Sequence, residues 1–283
     1  MKLLDTHQHL IYRDRLGYAW AEGIPPLASG DFTVETYNEL AGGQVAGALF
    51  MEAAVDDADY QQEARLIASI AHDSASSILG LIASCRPETE AGFEAWLDEC
   101  AGMGVVGFRR VLHVVDDEMS RASIFRENIR RIGSRGMSFD MCFLARQLPV
   151  ALELASACPD MTLVLDHCGV PDIAGGAFET WAADIDALAA LPHVSCKLSG
   201  LTAYAGPDQD RAEAIRPYVD HVLSAFGPAR MVWGSDWPVV DLGSGLPGWL
   251  DMTRDILTGL SPDEAADISH RTAQRIYRVT LPD

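Results

Sequence analysis

Basic side chains are scarce in this chain. Its 283 residues carry 21 Lys and Arg against 41 Asp and Glu, a net charge of −20. Nucleic acid and anionic membrane both demand positive surface, so neither is expected as a partner. Long apolar runs are missing too. None reaches the ~18 residues of a membrane span, and the opening MKLLDTHQHL lacks the apolar stretch of a secretory leader. There is no C-x-x-C pair; Cys85, Cys100, Cys142, Cys158, Cys168 and Cys196 are scattered. A chain with 48% hydrophobic residues can bury a core without disulfides. Reduced thiols and a cytoplasmic location are therefore expected. Nor is there a G-x-S-x-G elbow to present a nucleophilic serine.

What the chain does contain is a regular alternation. Eight short apolar runs stand out: KLLDTH, GALFMEA (47–53), SILGLIASC (77–85), GVVGFRRV (104–111), SFDMCFL (138–144), TLVLDHCG (162–169), VSCKLSGL (194–201) and RMVWGSDWP (230–238). Most are apolar throughout rather than alternating, as parallel strands covered on both faces should be. Between them, DDADYQQEARLIASIAHD and FETWAADIDALAALP place apolar residues three and four apart, the helical spacing. SPDEAADISHRTAQRIY opens with Ser261 as cap, Pro262 in the first turn and Glu264 to complete a capping box. The repeat is roughly 32 residues, the size of one strand-loop-helix unit. No Pro- or Gly-rich linker divides the chain. A single (β/α)8 barrel over 1–283 is the expected architecture, with a doubly wound open sheet as the alternative.

A barrel of this kind builds its site at the C-terminal ends of its strands. Those ends are polar here. Strand 1 ends in His7 and His9, which share one parity with Asp5 and so should point one way. Strand 2 ends in Glu52, strand 4 in Arg109 and Arg110 with His113 beyond, strand 6 in Asp166 and His167, and strand 8 in Asp236. Burying such groups is costly unless they are paired. A salt-bridged mouth of Glu52, Arg109 and Asp236 would explain any one of them. Three histidines, a carboxylate and an arginine at the same end favour a site. His72, His221 and His270 fall in helical stretches, and His193 lies at the opposite end of the barrel. Cys168 has the parity of packing. Lys197 raises a Schiff-base aldolase as a rival, but it sits too deep in strand 7.

The pieces DTHQH, GFRRVLH, VLDHCGVP, CKLSGL, GSDWP and TAQRIYRV, spread over residues 5 to 279, resemble the amidohydrolase superfamily and specifically its amidohydrolase-2 branch. The resemblance implies that His7 and His9 are the strand-1 pair of that superfamily. Binuclear members carry a carbamylated lysine or a carboxylate on strand 4 and a histidine at the end of strand 5. Here those places hold Arg109 and the histidine-free FDMCFLAR. A binuclear centre is therefore not expected. Either no metal is required, or a single divalent ion such as zinc sits on His7, His9 and Asp236 with help from Glu52 or His113. The branch includes lactonases that resemblance suggests act without metal. Their substrates are sugar lactones such as L-fucono- and L-rhamnono-lactone, and pyrone or muconolactone carboxylates.

The expectation is thus a lactonase. Asp236 takes the proton of an attacking water. His7, His9, His167 and Arg109 donate to the oxyanion. Glu52, His113, Tyr204, Trp237 and Asp241 contact the substrate. With only Arg109, Arg110 and Arg146 as cations near strand ends, a small neutral sugar lactone suits the mouth better than a dicarboxylate. A metal-dependent decarboxylase or amidase of the same superfamily is a rival, as is an inert binding protein on the same scaffold. The sequence leaves the oligomeric state open, a homo-oligomer included.

Overall fold

The eight apolar runs become eight parallel strands. They are β1 (Leu3–Gln8), β2 (Val45–Met51), β3 (Ile78–Ser84), β4 (Val105–Val111), β5 (Ser138–Cys142), β6 (Leu163–Leu165), β7 (Val194–Leu198) and β8 (Met231–Trp233). The computed structural model describes residues 2–73, 76–207, 209 and 211–282. Strands lie side by side in chain order, each pairing with the next. Beyond β8 the backbone returns to β1. The Asp236 N–H donates to the His7 carbonyl at 2.8 Å and the His9 N–H to the Trp237 carbonyl at 2.8 Å. That closure makes a (β/α)8 barrel and removes the open-sheet alternative.

Two strands stop furthest short of the ends of their apolar runs. β6 ends at Leu165 and β8 at Trp233. The next residues leave the ladder through left-handed backbone at His167 (φ 53°), Cys168 (φ 52°), Val170 (φ 48°) and Asp236 (φ 58°). Non-glycine residues rarely adopt this conformation, and a β-branched one such as Val170 almost never does. Such strain collects at sites that need side chains aimed in a particular way.

The helices follow their spacing. Tyr60–Ala71 and Phe178–Ala189 bury their apolar faces. Ser261 caps as expected: its hydroxyl accepts from Glu264 N–H, and the Glu264 carboxylate accepts from Ser261 N–H at 3.0 Å. The helix it starts is not continuous. A π-turn at Asp267–Arg271 separates Pro262–Ala266 from Thr272–Tyr277. The last piece plugs the barrel floor, where Ala273 and Tyr277 pack on Leu4, Leu49, Met51, Ile82, Val164 and Val232. Each such large apolar side chain contributes roughly 1.5–3 kcal/mol by leaving water. All six cysteines are buried and free. Among the described residues, no helix is long and apolar enough to cross a membrane.

Candidate active site

β1 carries the first two side chains to the mouth. Its register against β2 slips between Asp5 and Gln8, so the parity shared by Asp5, His7 and His9 is not kept. Asp5 turns away from the imidazoles. It accepts from Tyr37 Oη at 2.5 Å, from Ser235 N–H at 2.8 Å and from His7 N–H at 2.9 Å. It is a buried brace between β1 and the segment after β8, and burial pushes its pKa up. His7 and His9 face each other, Nε2 to Nε2, at 3.2 Å. His9 Nδ1 lies 3.0 Å from the Met51 carbonyl. A carbonyl only accepts, so neutral His9 carries its proton on Nδ1 and shows a bare Nε2. In that state it accepts or ligates and does not donate to a substrate.

β2 and β4 bring up the charged pair. Arg109 Nε donates to Glu52 Oε1 at 2.6 Å, and one terminal nitrogen donates to the Glu52 carbonyl at 2.6 Å. The other terminal nitrogen lies 3.2 Å from His7 Nε2 and 3.4 Å from Asp166 Oδ2. Burial opposes the charge of both partners. Even so, Arg109 holds Glu52 below its ordinary pKa, and Glu52 with Asp166 raises that of Arg109. The guanidinium is permanently charged and aimed into the site.

Asp236 sits across the mouth. Its Oδ1 is 3.4 Å from His9 Nε2 and 3.6 Å from His7 Nε2. Its Oδ2 is buried without a hydrogen-bond partner among the described residues, 3.7 Å from His167 Nδ1. His167 Nδ1 also meets Ser199 Oγ at 2.8 Å. Burial holds His167 below the ordinary imidazole pKa, with Asp236 pulling the other way. Gly200 (φ 72°) explains how the chain passes so close. A Cβ there would lie 2.8 Å from His167 Nδ1 and 3.1 Å from Asp236 Oδ2.

These groups fit a single divalent ion. His7 Nε2, His9 Nε2 and Asp236 Oδ1 form a triangle with sides of 3.2, 3.4 and 3.6 Å. Tetrahedral zinc with bonds of about 2.0–2.1 Å separates neighbouring ligand atoms by about 3.3–3.4 Å. The bare His9 Nε2 and the carboxylate oxygen also converge with no proton between them that His9 could supply. His7, Asp166 and His167 form a second convergent group, but Asp166 is already engaged by Lys197 at 3.1 Å.

The remaining expected residues scatter around this centre. His113 is half-buried, 3.3 Å from Cys142 Sγ, and burial followed by Arg109 lowers its pKa to about 4. Tyr204 stands with its ring 6.4 Å from that of His167. It lines a rim cavity of about 360 Å³ with Leu144, Arg146, Val170, Pro171 and Asp172. Trp237 is buried edge-on against Phe32 and Tyr37, and its carbonyl accepts from the His9 N–H. Asp241 is exposed. His193 and His221 bind backbone carbonyls elsewhere.

Sequence reasoning underrated three residues. Asp166 and Ser199 belong to the cluster, and Lys197 lies fully buried directly beneath it. Lys197 donates to the Thr6 carbonyl at 3.1 Å and to Asp140 Oδ2 at 2.5 Å. Burial would lower its pKa, but Asp140 and Asp166 hold it raised. A charged, enclosed ammonium is no Schiff-base nucleophile. A single charged residue in the strand VSCKL was the available signal.

The sequence profile of the amidohydrolase family matches residues 4–279. The chain belongs to that family. An L-fucono-1,5-lactonase of Burkholderia multivorans is 29% identical over 296 residues, 99% of this chain and 97% of its own. Another of the same name, from Burkholderia ambifaria, is 35% identical over 184 residues, 62% of each chain. A crystal structure of a Burkholderia multivorans amidohydrolase with bound zinc superposes with a TM-score of 0.89 at 27% identity. It covers 99% of this chain and 100% of that one.

Proposed function

We propose that this family member is a lactonase that opens a neutral aldonolactone, with L-fucono-lactone as the first candidate. The observation that carries the reading is Asp236. It is a buried carboxylate whose Oδ2 has no hydrogen-bond partner among the described residues, set among imidazoles and a guanidinium. The two relatives named as L-fucono-1,5-lactonases support the substrate class.

In this mechanism water attacks the ring carbonyl while Asp236 Oδ2 takes its proton. The new C–O bond pushes the carbonyl electrons onto oxygen. Arg109 stabilises that oxyanion through its terminal nitrogen. Ser199 Oγ, 2.8 Å from Nδ1, can donate there, and His167 then carries its proton on Nε2 as a second donor. Collapse breaks the ring C–O bond, and Asp236 returns the proton to the departing ring oxygen. A divalent ion on His7, His9 and Asp236 Oδ1 would polarise the carbonyl and acidify the water.

Charge favours a neutral ring. Arg109 is already spent on Glu52, Arg110 on Glu88 at 2.8 Å, and Arg146 lies 3.5 Å from Asp117. Each already faces a carboxylate of the protein, so a dicarboxylate would compete for these cations. The test is a pH-indicator hydrolysis screen of aldonolactones, a pyrone dicarboxylate and a lactam matched to the best lactone. Turnover of the aldonolactones alone is expected. Comparable turnover of the lactam, or preference for the dicarboxylate, sinks the assignment.

A further inference from the structure

His7 is unusual in what surrounds its two ring nitrogens. Nδ1 has a fixed donor, the Lys197 ammonium at 3.3 Å, and a fixed acceptor, Asp166 Oδ1 at 3.4 Å. Nε2 has a fixed donor, the Arg109 guanidinium at 3.2 Å. It also has two acceptors, the bare His9 Nε2 at 3.2 Å and Asp236 Oδ1 at 3.6 Å. Either neutral tautomer therefore finds partners on both sides. With the proton on Nε2, Lys197 donates into Nδ1, His7 donates to His9, and the Arg109 N–H turns from Nε2 to Asp166 Oδ2 at 3.4 Å. With the proton on Nδ1, Asp166 accepts it, and the one lone pair of Nε2 takes either the Arg109 N–H or a cation in the triangle, Arg109 then keeping Asp166 Oδ2 at 3.4 Å.

The supports beneath are placed to serve both states. Lys197 stands 3.1 Å from Asp166 Oδ1 as well as 3.3 Å from His7 Nδ1, so one N–H can turn from one to the other. Its other contacts anchor it: Thr6 carbonyl, and Asp140, which in turn accepts from Tyr277 Oη at 3.0 Å on the floor helix. The column from Tyr277 to His7 is buried throughout.

We propose that Lys197 and Asp166 are positioning residues that set the tautomer of His7: Lys197 favours the proton on Nε2 when the triangle is empty, and Asp166 receives it on Nδ1 when a cation needs Nε2 bare. Outer partners of metal-binding imidazoles fix which nitrogen is free in this way. Two partners of opposite character on the same nitrogen make the choice reversible. The inference does not depend on which substrate the enzyme opens.

The test needs no substrate. Protein labelled with ¹⁵N in its histidines reports each ring's tautomer, and the His7 signals are assigned by their loss in His7→Gln. Metal-free protein should show the His7 proton on Nε2, and zinc should move it to Nδ1. Lys197→Met should leave it on Nδ1 without zinc. Asp166→Asn should weaken zinc binding 10- to 100-fold, the usual effect of such a partner. A His7 proton on Nδ1 in metal-free wild-type protein overturns the proposal. So does a tautomer that zinc leaves unmoved, and both readings stand even if Lys197→Met fails to fold.

Discussion

Arg109 grips Glu52 twice, through the carboxylate at 2.6 Å and through the backbone carbonyl at 2.6 Å. Both side chains are buried. On the proposed mechanism the arginine has a second job at the oxyanion, and a single substitution confounds the two. Arg109→Met should lower kcat by about 10²- to 10³-fold, the cost of one oxyanion donor. It should also lower stability by about 3–5 kcal/mol, because Glu52 is left charged and unpaired. Adding Glu52→Gln removes that stranded charge. The double variant should regain much of the lost Tm and none of the lost kcat. Recovery of activity in the double variant would mean that Arg109 is structural only.

The same pair sets an acid limit on stability. Glu52 and Asp166 are held below their ordinary values of 4.5 and 3.8; burial opposes the shift, while Arg109 and Lys197 respectively impose it. A depressed folded pKa contributes stability that is present above the unfolded value and lost as pH falls through the folded one. Tm should therefore fall once pH drops below about 4.5. Asp140 has the opposite sign. Burial, against the pull of Lys197, pushes it up to about 6. Its contribution is present below 3.8 and lost as pH rises through about 6. Melting curves across this range should show Glu52→Gln less stable at neutral pH and flatter on the acid side. An unchanged acid slope would show that Glu52 is not held down.

Much of this site could be read from residue order. Polar residues ending apolar runs marked His7, His9, Glu52, Arg109 and Asp236, because such runs have few other reasons to stop on charges. Parity arguments failed where the ladder slipped or the strand ended. Asp5 lost its parity to a register slip. Asp166 and His167 both reach the site, although neighbours on a strand point apart, because the chain turns left-handed at His167. Depth argued against Lys197 as a nucleophile, and it is indeed fully buried, but depth said nothing of its contacts with His7 and Asp166. Depth matters for a nucleophile that must meet substrate, but a positioning residue belongs one layer below it.

Gly200 offers a check on how tightly the centre is packed. Its φ is 72°, and a methyl carbon added there would stand 2.8 Å from His167 Nδ1, which leaves no room for a side chain. Gly200→Ala should cost about 1–2 kcal/mol from the left-handed backbone alone. The methyl must also displace His167 or Asp236 Oδ2. Activity should fall at least tenfold, well beyond what the lost stability explains at assay temperature. Full activity with lowered Tm would place the glycine's role in the turn and not in the site.

Asp236 carries the sharpest expectation. It is left-handed, at φ 58°, a conformation that Asn tolerates almost as well as Asp. Asp236→Asn should therefore keep the fold and remove only the basicity. The loss in kcat should be about 10²- to 10⁴-fold if the carboxylate takes the proton of water. The two carboxylate oxygens divide the question of metal. Oδ1 belongs to the triangle with His7 and His9, while Oδ2 has no partner among the described residues. Arg109 already supplies fixed positive charge beside the triangle. Removing metal with a strong chelator should therefore cost far less activity than removing the carboxylate, even though zinc alone should bind at one site per chain and His9→Ala should abolish that binding. The measurement is kcat for wild type and Asp236→Asn, each before and after chelation, with zinc content determined in parallel. If chelation abolishes wild-type activity and zinc restores it, Asp236 acts first as a ligand, and the metal-independent route is wrong.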